Sequence, residues 1–404
     1  MRRLLSVLCV LAGFAVAGTA PWIARADERE IKTLDRAEDL VVLTGAELAK
    51  LKGVPSDLIR VYAAKDGDLL PIPFQVDERT PELEYCWRAG PDPVKDVDDG
   101  RLDDDDEVAL RAADAGDRTG KSIAGATARV EVQIDDPVNG HKAWAYVLAF
   151  DDKEHPPPPR TEKRRVEVIP ASKSGGARIR TPFFEVASTG SPGLTGRPTG
   201  VRMRAPDGTV GPELVKDAAR FKLRASYLLA RIEREGSEAR TALGSSWIEG
   251  PVRAIAPVTV EAYLIWGNWI SSSRSHVLVH DHTWELRARF SLPVNLDREH
   301  ASEATLSLEA ADGARAWRAQ KSNGLLQLLG PEGAIGVRLE LDARLRTKES
   351  AASELVVDLQ GLRKSEEATP YEVTYVLGVL PQGSEGTLFD LMATRDKPLR
   401  HAAR

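Results

Sequence analysis

The feature that most constrains this chain is its punctuation. Short runs that alternate apolar and polar side chains are broken at close intervals by Gly, Pro and Asx residues. Ala128–Ile134 puts Val130, Val132 and Ile134 on one face, and Phe221–Tyr227 and His282–Phe290 alternate in the same way. Residues 305–308, 336–341, 355–359 and 371–379 add further strands. Period-two alternation marks strands with one buried face. Turn signals separate them: Asp66-Gly67, Asp136-Pro137-Val138-Asn139-Gly140, Asp207-Gly208, Asp312-Gly313, Asn323-Gly324 and Gly383-Ser384. Helical periodicity is confined to Thr44–Gly53, with Thr44 as cap, and to two turns over Glu213–Arg220. The expected fold is all-β, with two antiparallel β-sandwich-type domains, the second larger, and few short helices.

Residues 1–26 read as a Sec-type signal peptide. Arg2 and Arg3 precede an apolar run from Leu4 to Val16, and Ala24-Arg25-Ala26 offers small residues for cleavage after Ala26. The expected location is periplasmic or secreted, with no transmembrane segment after cleavage. Cleavage removes three basic side chains and no acidic ones, taking the formal net charge from −6 to −9. A chain this acidic has no field to draw in phosphates, so nucleic acid is not an expected partner. Cys86 is the sole cysteine left, which excludes an intrachain disulfide. His155-Pro156-Pro157-Pro158-Pro159 and the polar run after it form a linker over 153–166. It separates a domain at 27–152 from a larger β-sandwich domain at 167–404.

Residues 96–107, Asp-Val-Asp-Asp-Gly-Arg-Leu-Asp-Asp-Asp-Asp-Glu, carry eight carboxylates in twelve positions. Such a loop repels itself unless a cation sits within it, and calcium takes six to eight oxygens in flexible geometry. Counting Gly100 as the sixth position of a calcium loop puts Asp99 fifth and Asp106 twelfth, with Asp96 and Asp98 brought in by a one-residue deletion. The expected calcium ligands are Asp96, Asp98, Asp99 and Asp106, with Asp103 in reserve; the alternative is a solvated acidic turn.

Pro73-Phe74-Gln75-Val76-Asp77 followed by the acidic run Asp99–Glu107 resembles the N-terminal module of uncharacterised exported bacterial β-proteins. Ala113-Asp114-Ala115-Gly116 and Asp136–Gly140 extend the likeness over roughly 55–150. In some exported proteins, similar modules precede mutarotase-like supersandwich domains thought to act on polysaccharides, so the resemblance implies a sugar polymer. It reaches no catalytic residue.

A second constellation lies at 263–289. Tyr263, Trp266 and Trp269 are followed by His276, then by His280-Asp281-His282-Thr283-Trp284. On one strand, His276, His280, His282 and Trp284 would share a face. Trp266, Trp269, His276, His282 and Trp284 are therefore candidate substrate-binding residues for a sugar, a zinc pair or plain sheet packing being the alternatives. Tyr263, His280 and Arg287 (or Arg289) are candidate catalytic residues. There is no Gly-x-Ser-x-Gly, His-Glu-x-x-His or phosphate-binding Gly loop. The expected role is an exported envelope protein that binds polysaccharide or another envelope component. The alternative is a polysaccharide lyase or glycoside hydrolase working at a concave face of the second domain.

Overall fold

The computed structural model describes residues 30–87, 100–151, 165–170, 177–188, 198–205, 207–227, 230–235, 239–243, 247–265, 268–311, 318–322, 325–350, 354–365, 369–382, 388–393, 395 and 397–404. The signal peptide, most of the linker and the turn signals at 312–313, 323–324 and 383–384 lie outside them. In the first half the strands are β1 (Leu40–Thr44), β2 (Ile59–Lys65), β3 (Asp68–Pro71), β4 (Phe74–Asp77), β5 (Glu107–Arg111), β6 (Ala126–Asp135) and β7 (Lys142–Phe150). A three-stranded sheet, β1-β5-β4, faces a sheet containing β6-β7-β2-β3. Val41, Leu43, Val108 and Leu110 of the first meet Val61, Val130, Val132, Ile134 and Val147 of the second. The Pro-flanked β4 is an edge strand, as prolines require.

The second half runs through β8 (Glu167–Pro170), β9 (Ala177–Arg180), β10 (Phe184–Ser188), β11 (Pro198–Arg204), β12 (Val210–Tyr227), β13 (Ala230–Glu235), β14 (Ala239–Leu243), β15 (Ile248–Glu249) and β16 (Ala254–Ile265). It continues with β17 (Asn268–His280), β18 (Thr283–Ser291), β19 (Glu303–Ala310), β20 (Arg318–Ser322), β21 (Leu325–Gly330), β22 (Gly333–Leu341), β23 (Arg346–Lys348), β24 (Glu354–Asp358) and β25 (Tyr371–Pro381). These form two nine-stranded antiparallel sheets. One runs β23-β24-β19-β12-β11-β10-β9-β8, with β13 on β12; the other runs β14-β16-β17-β18-β25-β22-β21-β20, with β15 on β16. Their inner faces supply one core, in which Phe184, Val186, Val201 and Leu308 meet Val277, Val279, Trp284 and Leu377. The fold is all-β, antiparallel and sandwich-type in both halves, with the second the larger.

Two helical readings give way. Residues 213–220 lie in the long strand β12, where pairing with β11 and β19 outweighs local helical preference. Thr44–Gly53 shortens to a 3-10 turn at Ala49–Leu51. The cap of that turn is Leu48, which makes no side-chain cap bond; Thr44 instead holds Glu47, its amide and hydroxyl both donating to Oε2, at 2.8 and 2.9 Å.

The chain's last residues do not stay with the second sandwich. Helix α1 (Leu388–Ala393) sets Leu388 and Met392 against the sheet at Gly336 and Gly378, paired on β22 and β25. A Cβ at Gly378 would come within 2.3 Å of Met392 Cε, so the missing side chain seats the helix. Residues Arg400–Ala403 then form β26 and pair with β6, making the first half's second sheet five-stranded, β26-β6-β7-β2-β3. His401 meets Glu47 there at 2.8 Å. The C-terminal segment thus straps the two halves together. Among the described residues, no helix is long and apolar enough to cross a membrane.

Candidate functional site

The polar residues singled out from sequence converge where the first half meets the outer face of β16–β18. His280 ends β17 and Thr283 begins β18, opposite each other, so Asp281-His282 is a two-residue hairpin turn. That turn overturns the single-strand face argument. Reversal of the chain sends Trp284 to the core face with Val277 and Val279, edge-on to Tyr375 at 5.7 Å and 3 % exposed. His276, His280, Glu285 and Arg287 remain on the outer face, since His276 pairs with Arg287 and His280 with Thr283.

The hairpin tip is buried between the halves. Asp281 accepts from Arg111 of β5 at 3.1 Å and from Arg165 at 2.6 Å, and these cations hold its carboxyl below the ordinary range against its burial. His282 is 1 % exposed and stacks on Phe183 at 3.8 Å. Its Nδ1 lies 3.0 Å from the Val379 carbonyl and its Nε2 lies 3.3 Å from Glu38 Oε2. The Nε2 of His280 bonds Thr283 Oγ1 and stands 3.6 Å from Glu285, while its Nδ1 has no hydrogen-bond partner among the described residues. A hydroxyl, an imidazole and a carboxylate are together here, but a hydrolytic relay needs hydroxyl and carboxylate on opposite ring nitrogens. Both sit at Nε2. Glu285 is in any case claimed by Arg395 at 2.6 Å, and Arg395 also binds Glu340 at 2.5 Å.

Beside the tip is a second cluster, built on the Gln75-Val76-Asp77 stretch. Arg253, 2 % exposed, donates from Nε and Nη2 to Asp77 Oδ2 at 2.9 and 2.6 Å, and from Nη2 to Glu107 at 2.5 Å. Gln75 donates to Asp77 Oδ1 at 2.6 Å and accepts the Arg253 amide at 3.1 Å. Gly250 permits that approach, because a Cβ there would fall 1.9 Å from Gln75 Oε1. Tyr85 donates to Glu107 at 3.0 Å, and the Arg79 side chain binds the same carboxylate. Despite burial, Arg253 and Arg79 pull the Glu107 carboxyl down to about 2. The His276 ring meets Tyr85 edge-on at 5.0 Å, and burial, followed by the Arg287 charge, lowers it to about 3. Sequence reasoning missed Arg253, Glu285 and Arg395. Isolated arginines and a glutamate in strand-like text carry no spacing signal.

Of the expected calcium ligands, Asp96, Asp98 and Asp99 lie outside the described residues. Asp106 is 0 % exposed; its Oδ1 accepts the Arg79 amide at 2.9 Å and its Oδ2 the Asp103 amide at 3.1 Å. Burial, with Asp103 and Glu78 nearby, pushes its carboxyl up to about 7. Leu102 of the same run is buried in the first-half core, and Glu78 accepts the Gly100 amide at 2.8 Å. Among the described residues, no three His, Cys, Asp or Glu side chains converge to hold a metal. Trp266 lies outside the described residues; Tyr263 and Trp269 pair across β16 and β17, with side chains that are not described.

A third array lies on an outer face, where partly exposed arginines cover a buried carboxylate, Glu185. On the outer face of β8–β12, Glu167, Arg180, Glu185, Arg202 and Glu213 occupy consecutive register positions across five strands. Phe184 and Val186 point into the core, so Glu185 faces out, and Arg180 covers it at 2.7 Å and Arg178 at 3.3 Å. Arg202 reaches Glu185 at 3.9 Å and Glu213 at 3.7 Å. Arg178 and Arg202 remain well exposed. In the comparisons with known proteins, no family model matches this chain and no curated protein matches it.

Proposed function

We propose that this chain is an exported, non-catalytic β-protein that binds polysaccharide or another envelope component, with calcium in its acidic loop. The observation that carries this reading is the fate of the residues suited to chemistry. His276, His280, His282, Trp284 and Glu285 are spent on the junction and core, where a general base could not meet a substrate. Trp284 and His282 likewise have no face left for a sugar. The outer ladder of Arg178, Arg180, Arg202, Glu167 and Glu213 instead offers a flat row of donors and acceptors suited to hydroxyl groups. The likeness of the 55–150 module to exported proteins associated with polysaccharides supports the ligand class.

A polysaccharide array probed with the mature protein tests the reading, alongside assays for unsaturated products at 235 nm and for new reducing ends. Binding without product, weakened by Arg178→Ala with Arg202→Ala, is expected. Product that disappears in His280→Ala would replace it with the lyase or hydrolase reading. Calcium is tested by melting with calcium and with chelator: a ligand of the native state adds about 2.7 kcal/mol at a hundredfold excess over Kd. Equal midpoints, with no bound metal by mass spectrometry, would remove the ion.

A further inference from the structure

We propose, resting on the polysaccharide reading, that the outer face of β9–β12 takes a uronic-acid polymer. Arg178 and Arg202 bind the carboxylates of the sugar chain, and Glu213 accepts from its hydroxyls.

Strand alternation sets this face. Ile179, Val186, Val201 and Met203 go to the core, so Arg178, Arg180, Glu185 and Arg202 turn outward. Glu185 carries one negative charge, is 2 % exposed, and is ringed by three guanidiniums. Arg180 donates to it from Nε at 2.7 Å, Arg178 lies at 3.3 Å and Arg202 at 3.9 Å. One carboxylate cannot balance three cations. Arg204, two residues along β11, bonds the Thr181 and Gly208 carbonyls, at 2.6 and 3.5 Å, and adds a fourth positive charge. Arg202 is beyond hydrogen-bond reach of both its carboxylates, since Glu213 stands 3.7 Å away. The side chains of Arg178 and Arg202 are 48 % and 37 % exposed. The buried Glu185 gathers the guanidiniums before any ligand arrives, which lowers the ordering cost of binding an anion.

The alternation of sign across the strands selects the kind of anion. A guanidinium fork matches the two oxygens of a carboxylate. Beside Arg202, Glu213 is 41 % exposed, with its Oε2 folded over Gly200, where a Cβ would come within 2.9 Å. At the other end Glu167 is 63 % exposed, 3.6 Å from Arg180. An ionised carboxylate only accepts, so both glutamates suit hydroxyl donors and repel a polymer charged at every position. A nucleic-acid duplex, with one negative charge per ~1.7 Å, would set phosphates against them. A chain with one carboxylate per sugar and hydroxyls between offers each sign its partner.

Calorimetric titration of the mature chain with oligogalacturonate, its methyl ester and a neutral xylo-oligosaccharide tests this. Binding to the charged oligomer alone is expected. It should weaken as salt rises from about 0.1 M to about 1 M, where the screening length falls from ~10 to ~3 Å. Arg178→Ala and Arg202→Ala should each raise Kd about tenfold, the loss of one charge-assisted contact, with little shift in melting midpoint. Glu213→Gln keeps an acceptor and removes a repelling charge, so it should bind at least as tightly as wild type. Ester or neutral oligomer bound as well as the charged one overturns the inference and leaves the polysaccharide reading standing. No binding to any of the three overturns the inference, and a blank polysaccharide array would then remove the reading as well. Charged-oligomer binding that survives in both arginine variants overturns the site. Duplex DNA bound as tightly as the oligomer would show a general charge surface and overturn it too.

Discussion

The Arg253 cluster and the Arg202–Glu213 end of the outer ladder use the same chemistry, guanidinium against carboxylate, in opposite surroundings. Arg253 is sealed between the halves and holds Asp77 and Glu107 at 2.6 and 2.5 Å. Arg202 sits in the open 3.7 Å from Glu213, itself exposed, and 3.9 Å from the buried Glu185. Desolvation separates their roles. A buried ion pair gains little net energy from forming, yet removing one partner leaves an uncompensated charge. An exposed pair is screened by water and salt, and its groups stay free to bind something else. One array therefore fixes how the halves sit, and the other is available to a ligand.

The sharpest way to break this contrast is to truncate each arginine. Arg253→Ala strands Asp77 and Glu107 and should cost about 3–5 kcal/mol in denaturant unfolding. Acid titration comes next. The folded Glu107 value, about 2, lies below its ordinary 4.5. Its contribution, about 3 kcal/mol at most, is therefore complete above pH 4.5 and is lost as pH falls toward 2. Glu107→Gln should remove that part of the acid dependence, read from urea midpoints between pH 2 and 5. The smallest effect belongs to the ladder: Arg202→Ala should change stability by less than about 1 kcal/mol. Equal losses for Arg202→Ala and Arg253→Ala would erase the distinction between the two arrays.

The difference between these regions also separates what sequence could tell from what it could not. Period-two alternation made β6, β18 and the all-β class legible, and Asp136–Gly140 marked a hairpin whose Gly140 takes φ 75°. The Gln75–Asp77 stretch and the acidic run stood out as chemistry, but their partner Arg253 lies 176 residues beyond Asp77. No local pattern encodes a contact at that separation. His280–Trp284 failed for a different reason. The Asp281-His282 turn lacks the Asn-Gly or Asp-Gly that usually announces a hairpin, so the stretch reads as an unbroken strand, which puts Trp284 on the wrong face. Arg400–Ala403 falls inside the 167–404 range expected for the second domain; its pairing with β6 depends on how the chain returns, which alternation does not record.

The central claim is that Arg253 and the first-half carboxylates form one coupled lock between the halves. A double-mutant cycle of Arg253→Met and Glu107→Gln, measured by urea unfolding at pH 7, addresses it directly. The lock predicts a coupling energy of about 1.5–3 kcal/mol, the upper range for residues in one buried network. Additivity within about 0.5 kcal/mol would show the two residues to be independent and would contradict the account.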